Sequence, residues 1–392
     1  MNSNSFGKLI RTYREKRGWK QDELAERWGF TREYVSQIER GKRRLDKPEQ
    51  VTRLAEILGI SEEQLIRVGK GRPPKQSSAQ YSGMSDNILL EALLEPASVT
   101  VKLSWLIWQG YDVLTDFTSN LYNLERRLSE ALGVYRGQFH QSGLRMLASV
   151  HEMLGKQAID RTATQEATTH FQEMYDIAEE LGDSDLLILG MIHQAGMFRR
   201  KGRLEASFRR LEAAETRVRS ASRWLQGFLW KFYARNFYIS GDEQGFLRYI
   251  DRAADIAEDI DATVDTINNR FDKLGVLEER ALGYTMLWQP EKALAIYQET
   301  DKMRLFRPLR EQGSYHIMKA QTYCYSGDLK TGVEHALTGL RMAEQLRSSR
   351  YVVRLQHMSD RLSGTPIGKE RAMQDLRSEI LKTLQTLRQD AS

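Results

Sequence analysis

The sequence has little of what secreted and membrane proteins depend on. Among 392 residues it holds one cysteine, Cys324, and seven prolines. A single cysteine excludes an intramolecular disulfide. The longest uninterrupted apolar runs are a handful of residues, as in LLILGMI, whereas a membrane span needs about 20 apolar residues. Neither a signal peptide nor a span is expected, which favours the reducing cytoplasm.

Sequence patterns of catalytic and metal sites are also missing. The seven histidines lie at 140, 151, 170, 193, 316, 335 and 357, with no two within five positions, so no metal-binding pair shares a helix face. His151 and Glu152 begin an HExxH-like run, but Gly155 stands fifth. No GxSxG occurs, and the glycines near 69–74 complete no phosphate-binding loop. We therefore expect no enzyme, cofactor or metal, and a buried, inert Cys324 thiol.

The positive charge is concentrated at one end of the chain. The overall net charge is +5. Residues 1–75 hold 18 Lys and Arg against 11 Asp and Glu, and the remainder holds 40 against 42. This distribution is typical of a small nucleic-acid-binding head on a nearly neutral body.

A linker separates these two parts. Residues 69–86, GKGRPPKQSSAQYSGMSD, are rich in Gly, Pro, Ser and Gln. Apolar residues recur at helical spacing downstream, and period-2 alternation is scarce. The sequence predicts an all-α protein with a head at 1–68, a linker at 69–86 and a body at 87–392. Prolines 48, 96, 290, 308 and 366 fall where helices would begin or end.

The head divides into five short helices. The first three are predicted at about 6–17, 21–28 and 32–39, a fourth begins at Pro48, and a fifth begins at Ser61. Gly29 suits a tight turn with positive φ, and Thr31 is the expected N-cap of the third helix. Two helices joined by a short glycine turn form a helix-turn-helix arrangement. The predicted core of the head is Ile10, Leu24, Ala25, Val35, Ile38, Leu54 and Leu58.

These residues resemble a known family. The run GKLIRTYREKRGWKQDELAERWGFTREYVSQIERGKRR, followed by LAEILGISEEQL, is similar to the Cro/repressor-type (XRE) helix-turn-helix domain over nearly all of 6–68. The resemblance implies that the third helix reads base edges in the major groove of double-stranded DNA. It also implies a buried ion pair between Arg14 and Glu39, with a structural role.

Candidate DNA-binding residues follow from that resemblance. Gln21 would clamp a phosphate at the start of the second helix, and the residues after the third helix would meet the sugar-phosphate backbone. The alternative is that the polar residues of the third helix are only solvent-exposed. The candidates are Gln21, Thr31, Arg32, Glu33, Tyr34, Ser36, Gln37, Lys42, Arg43 and Arg44.

The body contains an internal repeat. Its turn markers are Gly202, Gly241, Trp288 and Gly327. Seven positions before each marker stands an alanine, and four before stands an aromatic residue. Positions five and twelve after each marker are mostly small, as two closely packed antiparallel helices require. We expect a stack of helical hairpins.

The repeat resembles the tetratricopeptide (TPR) repeat. The clearest copies cover 187–346, a looser copy precedes them from Ala148 to Ala178, and 347–388 would cap the stack. Marker spacings of 39, 47 and 39 depart from the usual 34, Phe246 occupies a small-residue position, and Trp288 replaces a glycine. The alternative is a helical bundle that is not a true solenoid.

Stacked TPR hairpins leave a concave groove that can hold an extended peptide. Basic side chains there could pair with a peptide carboxylate, and amides could bond to its backbone. The alternative for each candidate is an ordinary surface residue, and only the clustering of the candidates in the middle repeats favours a binding groove. The candidate effector-binding residues are Arg199, Lys231, Arg235, Asn236, Tyr238, Glu278 and Gln321.

Head and body together resemble the peptide-responsive bacterial regulators of the PlcR, PrgX and Rgg group, which are associated with quorum sensing. The resemblance implies a homodimeric transcription regulator that binds a near-palindromic operator and a short peptide effector. Two alternatives stay open. One is a TPR scaffold or inhibitor for which DNA binding is secondary, and the other is a regulator whose body only dimerises.

Overall fold

A computed structural model describes residues 3–40, 50, 53–54, 57–58, 83–110, 117–260, 271–303 and 307–389; at 3–6, 8–9 and 83–89 it describes the backbone alone. Within these ranges the chain is helical and has no strand, as the sequence predicts. It divides into two compact units, Met1–Ser82 and Gly83–Ser392. We call them the head and the body.

The head begins with three helices, α1 at Ser3–Lys16, α2 at Gln21–Trp28 and α3 at Arg32–Glu39. All seven predicted core residues are buried, which confirms that prediction. The predicted helix beginning at Ser61 lies outside the described residues, as does most of the helix beginning at Pro48.

The turn between α2 and α3 has the predicted chemistry. Gly29 has φ of 80°, and its N–H donates to the carbonyl of Ala25 at 2.9 Å. Thr31 caps α3, since its hydroxyl accepts from the Tyr34 N–H at 3.2 Å. Gly7 fixes how closely α1 approaches α3, because an added Cβ would lie 2.3 Å from the Glu39 carbonyl oxygen.

The body consists of helices joined by short turns, with one turn of 3-10 helix at Val218–Ser220. None of the described helices is long and apolar enough to cross a membrane. The helices are α4 Gly83–Gln109, α5 Thr118–Val134, α6 His140–Asp160, α7 Thr164–Leu181, α8 Ser184–Arg200, α9 Leu204–Glu215, α10 Arg223–Ser240, α11 Glu243–Asp259, α12 Lys273–Met286, α13 Pro290–Met303, α14 Leu309–Ser326, α15 Leu329–Gln345, α16 Ser349–Leu362, α17 Pro366–Lys369 and α18 Arg371–Gln389.

Helix α4 differs from the sequence prediction in two ways. It begins at Gly83, so residues 83–86 are helical rather than part of the linker. Pro96 lies inside it rather than at its end. The helix continues through the proline because buried Leu90 and Trp105, on either side of it, pack into the same core. The prolines at 290, 308 and 366 do stand at helix starts, and Pro48 lies outside the described residues.

Five consecutive hairpins pair α6 with α7, α8 with α9, α10 with α11, α12 with α13, and α14 with α15. Each turn contains one residue with positive φ, and four of these residues are the predicted markers. The four alanines that precede the markers are fully buried. The predicted close-packing positions are buried as well: Ser207, Phe246, Ala293, Gly332, Ala214, Ala253, Thr300 and Gly339.

Glycines compensate for bulky residues in this stack. The Phe246 ring would lie 2.3 Å from a Cβ added at Gly283 in the next hairpin. In the same way Phe171 lies 2.6 Å from a Cβ added at Gly155. Gly155, which breaks the HExxH-like pattern, is thus a packing residue. Cys324 is fully buried as expected, and burial raises its pKa to about 12.

The turn geometry gives a stability prediction. Thr162 is β-branched yet has φ of 62°, so Thr162→Gly should stabilise the body by about 1 kcal/mol. Gly241 has φ of 81° with no atom within 4 Å of an added Cβ, so Gly241→Ala should destabilise it by about 1 kcal/mol. Urea unfolding followed by circular dichroism measures both effects, and shifts of the same sign would refute the prediction.

The first helices of the hairpins form a closed circuit. Helix α8 contacts α10, α10 contacts α12, α12 contacts α14, and α14 contacts α16. Helix α16 then contacts α6. Between α6 and α8, the His193 Nε2 lies 2.9 Å from a Glu152 carboxylate oxygen. We call the side of these six helices that faces the middle of the circuit the inner face.

Candidate DNA-binding surface and inner face

The exposed side of α3 carries polar side chains that can reach a ligand. Arg32, Glu33 and Gln37 are exposed, and Ser36 is half-buried. The Arg32 guanidinium lies 3.3 Å from the Asp22 carboxylate, where both side chains remain largely in solvent. A pair of that kind contributes little to stability. These side chains are therefore accessible, and their contacts with guanine, adenine or cytosine edges stay a prediction.

Two other candidates on this helix have structural partners. The Thr31 hydroxyl caps α3. The Tyr34 ring stacks on Phe30 with centroids 4.4 Å apart, and Trp28 lies 5.7 Å away. Tyr34 thus helps to close the head's core, with only part of its side chain accessible.

A buried polar network joins the three head helices. Arg14 Nε donates to Glu39 Oε1 at 2.6 Å, and its Nη2 donates to Oε2 at 3.0 Å. A further Arg14 nitrogen donates to the Trp19 carbonyl at 2.7 Å. Gln21 Nε2 donates to the same Glu39 carboxylate at 2.7 Å. The network fixes α3 against α1 and α2, so it determines how the exposed side chains of α3 are presented.

The remaining candidates of the head, Lys42, Arg43 and Arg44, lie outside the described residues. Their phosphate contacts stay a prediction. Gln21 is the first residue of α2, and its contact with a phosphate also stays a prediction.

On the inner face, the candidates Arg235 and Tyr238 converge on Glu279. Arg235 Nε donates to Glu279 Oε1 at 2.7 Å, and Tyr238 donates to the same oxygen at 2.8 Å. Burial lowers the pKa of Arg235, but the Glu279 carboxylate outweighs this and raises it. Burial likewise raises the pKa of Glu279, but Arg235 lowers it overall. The pair stays charged at neutral pH.

Arg199 lies next to this pair. Its guanidinium lies 5.3 Å from the Phe232 ring centroid, and that of Arg235 lies 5.2 Å from the same centroid. Arg199 donates to Asn236 Oδ1 at 3.3 Å. Burial, followed by the charge of Arg235, lowers the pKa of Arg199 to about 9. Two cations thus flank one aromatic ring.

Two predicted effector ligands are not available on the surface. Asn236 is fully buried and donates to the Ser207 hydroxyl at 2.9 Å, because it points into the packing between α9 and α10. Tyr238 is buried and its hydroxyl is bound to Glu279. The interpretation of Asn236 as a groove-lining contact is wrong, whereas a contact of Tyr238 with an effector stays a prediction. Neighbouring residues of an α-helix point in directions 100° apart about the helix axis. The side chain of Asn236 therefore points away from the side on which Arg235 lies.

The other three candidates differ from one another. Lys231 is 9% exposed, with its ammonium over the Phe228 and Phe271 rings, and burial lowers its pKa. Glu278 is half-buried. Gln321 donates to the Tyr325 hydroxyl at 3.2 Å. Their roles in effector binding stay predictions.

Sequence reasoning missed several charged residues of the inner face. Glu279 is absent from the candidates, although it organises Arg235 and Tyr238. Arg354 is also absent, and burial, followed by the charge of Arg350, lowers its pKa. Helix α16 lies in the segment 347–388, which was predicted only as a cap. Its arginines were therefore not compared with the groove-facing positions of the repeats.

Two histidine pairs were also missed, because their members are 19 positions apart. The Nδ1 atoms of His151 and His170 are 3.1 Å apart, and those of His316 and His335 are 2.9 Å apart. Each pair joins the two helices of one hairpin at equivalent repeat positions. Over the described ranges, no group of three or more His, Cys, Asp or Glu residues could hold a metal.

Comparison with known proteins identifies the first unit. Residues 5–67 match the family model described as "Helix-turn-helix domain". The head is a helix-turn-helix domain. A search of the curated proteins finds no match for the chain.

The solved structures with which this chain aligns over most of its length include those of two proteins. PlcR from Bacillus thuringiensis, in complex with the peptide PapR7 and DNA, is 13% identical, with 77% of this chain and 98% of that chain covered and a TM-score of 0.34. ComR from S. thermophilus, in complex with DNA and its signalling peptide ComS, is 14% identical, with 91% and 98% covered and a TM-score of 0.32. The apo form of ComR is 15% identical, with the same coverage and a TM-score of 0.29.

Proposed function

We propose that the protein is a sequence-specific DNA-binding transcription regulator. The observation that carries the proposal is a helix-turn-helix domain at 5–67 whose third helix exposes Arg32, Glu33 and Gln37. The excess of Lys and Arg in residues 1–75 supports it, because phosphate neutralisation supplies most non-specific affinity. Arg32 and Gln37 read bases, and Lys42–Arg44 hold the backbone.

The body acts as the regulatory part of this protein. It dimerises, so that two heads bind half-sites about one helical turn apart. It also binds a short peptide effector on its inner face, where Arg199 and Arg235 lie side by side. An effector of this kind changes DNA binding only if it binds two states of the body unequally. The proposal therefore includes two conformations or association states of the body.

Base-reading variants test the DNA-binding part. The full-length chain should bind a fragment of its own upstream DNA, and Arg32→Ala with Gln37→Ala should weaken that binding about 30-fold or more, since each base contact contributes about 1–3 kcal/mol. Fluorescence anisotropy at several salt concentrations measures both the affinity and its salt dependence.

The matched control is Arg11→Ala, which removes one positive charge from an exposed ion pair on α1. Its effect on specific binding should be less than about threefold, since exposed pairs and distant charges contribute little. Specific binding that survives the double variant would refute the proposed reading surface. A protein that keeps its full cellular activity without residues 1–82 would instead be a scaffold.

A further inference from the structure

A cleft lies between α7 and α9, the second helices of the first two hairpins. Helix α8 forms its floor and packs against both of them. The cleft has a volume of about 400 Å³, which is in the range of small-molecule sites. Gln194 and Lys201 of the floor lie roughly 150° around α8 from Arg199 of the inner face. The cleft therefore opens on the other side of α8, and we call it the outer cleft.

The outer cleft has an apolar surface and a basic rim. Met197 and Phe198 of α8, together with Ala206 and Ala213 of α9, supply the apolar surface. The Arg203 guanidinium lies 5.4 Å from the Phe198 ring centroid. Every charged residue among the described residues that line the cleft is basic: Lys201, Arg203, Arg209 and Arg210.

Hydrogen bonds across three helices hold Arg210 in place. Gln194 of α8, which is 7% exposed, donates to Gln172 Oε1 of α7 at 2.9 Å. Its own side-chain oxygen accepts from Arg210 Nε of α9 at 2.5 Å. The Arg210 guanidinium also lies 4.3 Å from the Tyr175 ring centroid. Among the described residues, nothing accepts a hydrogen bond from its Nη atoms. The guanidinium is thus fixed while these donors remain available to a ligand.

The next hairpin fills the equivalent positions with its own side chains. Gln194 and Arg210 stand eight positions before and eight positions after the turn marker of their hairpin. The same positions around the next marker hold Tyr233 and Tyr249. Their rings stack with centroids 4.5 Å apart. An open cleft is therefore a particular feature of α7, α8 and α9 and not a consequence of the repeat.

The later hairpins place a cation at the position of Gln194 and neutralise it. Arg280 lies 2.6 Å from the Asp251 carboxylate of the preceding second helix. Lys319 lies 2.8 Å from the Asp301 carboxylate in the same way. Charge at this level of the stack is thus paired where the chain supplies an acidic residue.

The basic residues of the outer cleft do not have such partners. Arg209 lies 3.7 Å from Glu205, but both side chains are largely exposed, so this pair neutralises little of the charge. For the other three basic residues, no carboxylate of the described chain lies within 4 Å of the charged nitrogens. Guanidinium forks bind carboxylate and phosphate oxygens through parallel hydrogen bonds. The cleft therefore favours an anion.

The apolar surface restricts the ligand further. A small hydrated anion would leave Met197 and Phe198 without a contact, and an uncharged apolar molecule would leave the basic rim without a counter-charge. Pockets of this size bind mainly through apolar contacts, and a few polar groups fix the orientation of the ligand. Both features are satisfied by a flat apolar body that carries one anionic group.

We propose that the outer cleft binds a small molecule with a flat apolar body and one carboxylate or phosphate group. The body packs on Met197 and Phe198, and the anionic group binds Arg203 and Arg210. This goes beyond the proposed function, because it assigns a second ligand site outside the inner face. The bound ligand connects α7 and α9 across α8, so it stabilises the first two hairpins against each other.

Calorimetric titration of the full-length protein tests the proposal. The probes are naphthyl phosphate and naphthoate, which share one body and separate phosphate from carboxylate sources. We expect saturable binding of at least one of them, and much weaker binding of naphthalenemethanol, which lacks the charge, and of inorganic phosphate, which lacks the body. Arg203→Ala with Arg210→Ala should weaken the binding at least about tenfold. Ala213→Leu, which fills the cleft, should weaken it to a similar extent.

The control for charge is Arg248→Ala with Arg341→Ala, at exposed positions on the second helices α11 and α15, and the control for size is Ala295→Leu, exposed on α13. Both should bind the probe within about twofold of the wild type, since they lie outside the cleft. Absence of saturable binding by both probes would overturn the proposal. So would equal binding of naphthalenemethanol, or equal binding by the cleft variants and their controls.

Discussion

Arg14→Ala should destabilise the head by about 3–5 kcal/mol, because it leaves a buried carboxylate without its charge partner. The Glu39 side chain is 2% exposed, and after the change only Gln21 would still donate to it among the contacts described above. Helix α3 would lose its link to α1, and DNA binding would fall with it. Hydrogen exchange measured by mass spectrometry should show loss of protection in residues 3–40 and unchanged protection in the body.

Two further variants separate the buried pair from a general effect of charge. Arg11→Ala removes an exposed arginine of the same helix and should cost less than about 1 kcal/mol. Arg14→Met combined with Glu39→Met should recover most of the lost stability, since apolar pairs often replace buried ion pairs without loss. Similar exchange profiles for Arg14→Ala and Arg11→Ala would contradict the structural role of the network.

Arg310→Ala should open the circuit of the body and destabilise it by about 3–5 kcal/mol. The Arg310 guanidinium lies 2.7 Å from Asp160 Oδ2, donates to the Trp108 carbonyl and stacks 4.1 Å from the Trp108 ring centroid. The Trp108 indole N–H donates to the same Asp160 carboxylate at 2.6 Å. Tyr351 on α16 donates to the Arg310 carbonyl at 2.8 Å. The buried Arg310 and its partners Trp108, Asp160 and Tyr351 thus connect helices α4, α6, α14 and α16.

The expected sign of opening is a larger radius of gyration in small-angle scattering, with faster exchange at the end of α6 and the start of α16. The control is Arg223→Ala, whose partner Asp259 is exposed, and it should cost less than about 1 kcal/mol. Loss of protection confined to α14 would contradict the closure, because it would mean that Arg310 acts only locally.

Local features of the fold could be predicted from the sequence. Gly29 and Thr31 indicate a turn and a helix start by residue type alone, since glycine permits positive φ and threonine can cap a helix. Four of the five hairpin turns were found in the same way, and even Trp288, which replaces glycine, has φ of 61°. Its ring stacks on Tyr325 with centroids 4.6 Å apart, a contact that accompanies this backbone.

Long-range contacts could not be predicted in this way. Arg310 and Asp160 lie 150 positions apart, and no periodic pattern links two single residues at that distance. The repeat spacing placed Asn236 on the inner face together with Arg235, the residue before it. In the structure, Asn236 points into the packing between α9 and α10 instead.

The most direct test of the proposed function is selection of DNA from a random library by the full-length protein, followed by sequencing of the bound fragments. We predict enrichment of a near-palindrome whose half-sites are centred about 10 base pairs apart, as a dimer of helix-turn-helix heads requires. The same selection with Arg32→Ala and Gln37→Ala should lose that motif. No enriched motif with the wild type, or the same motif with the double variant, would contradict a sequence-specific regulator that reads DNA through α3.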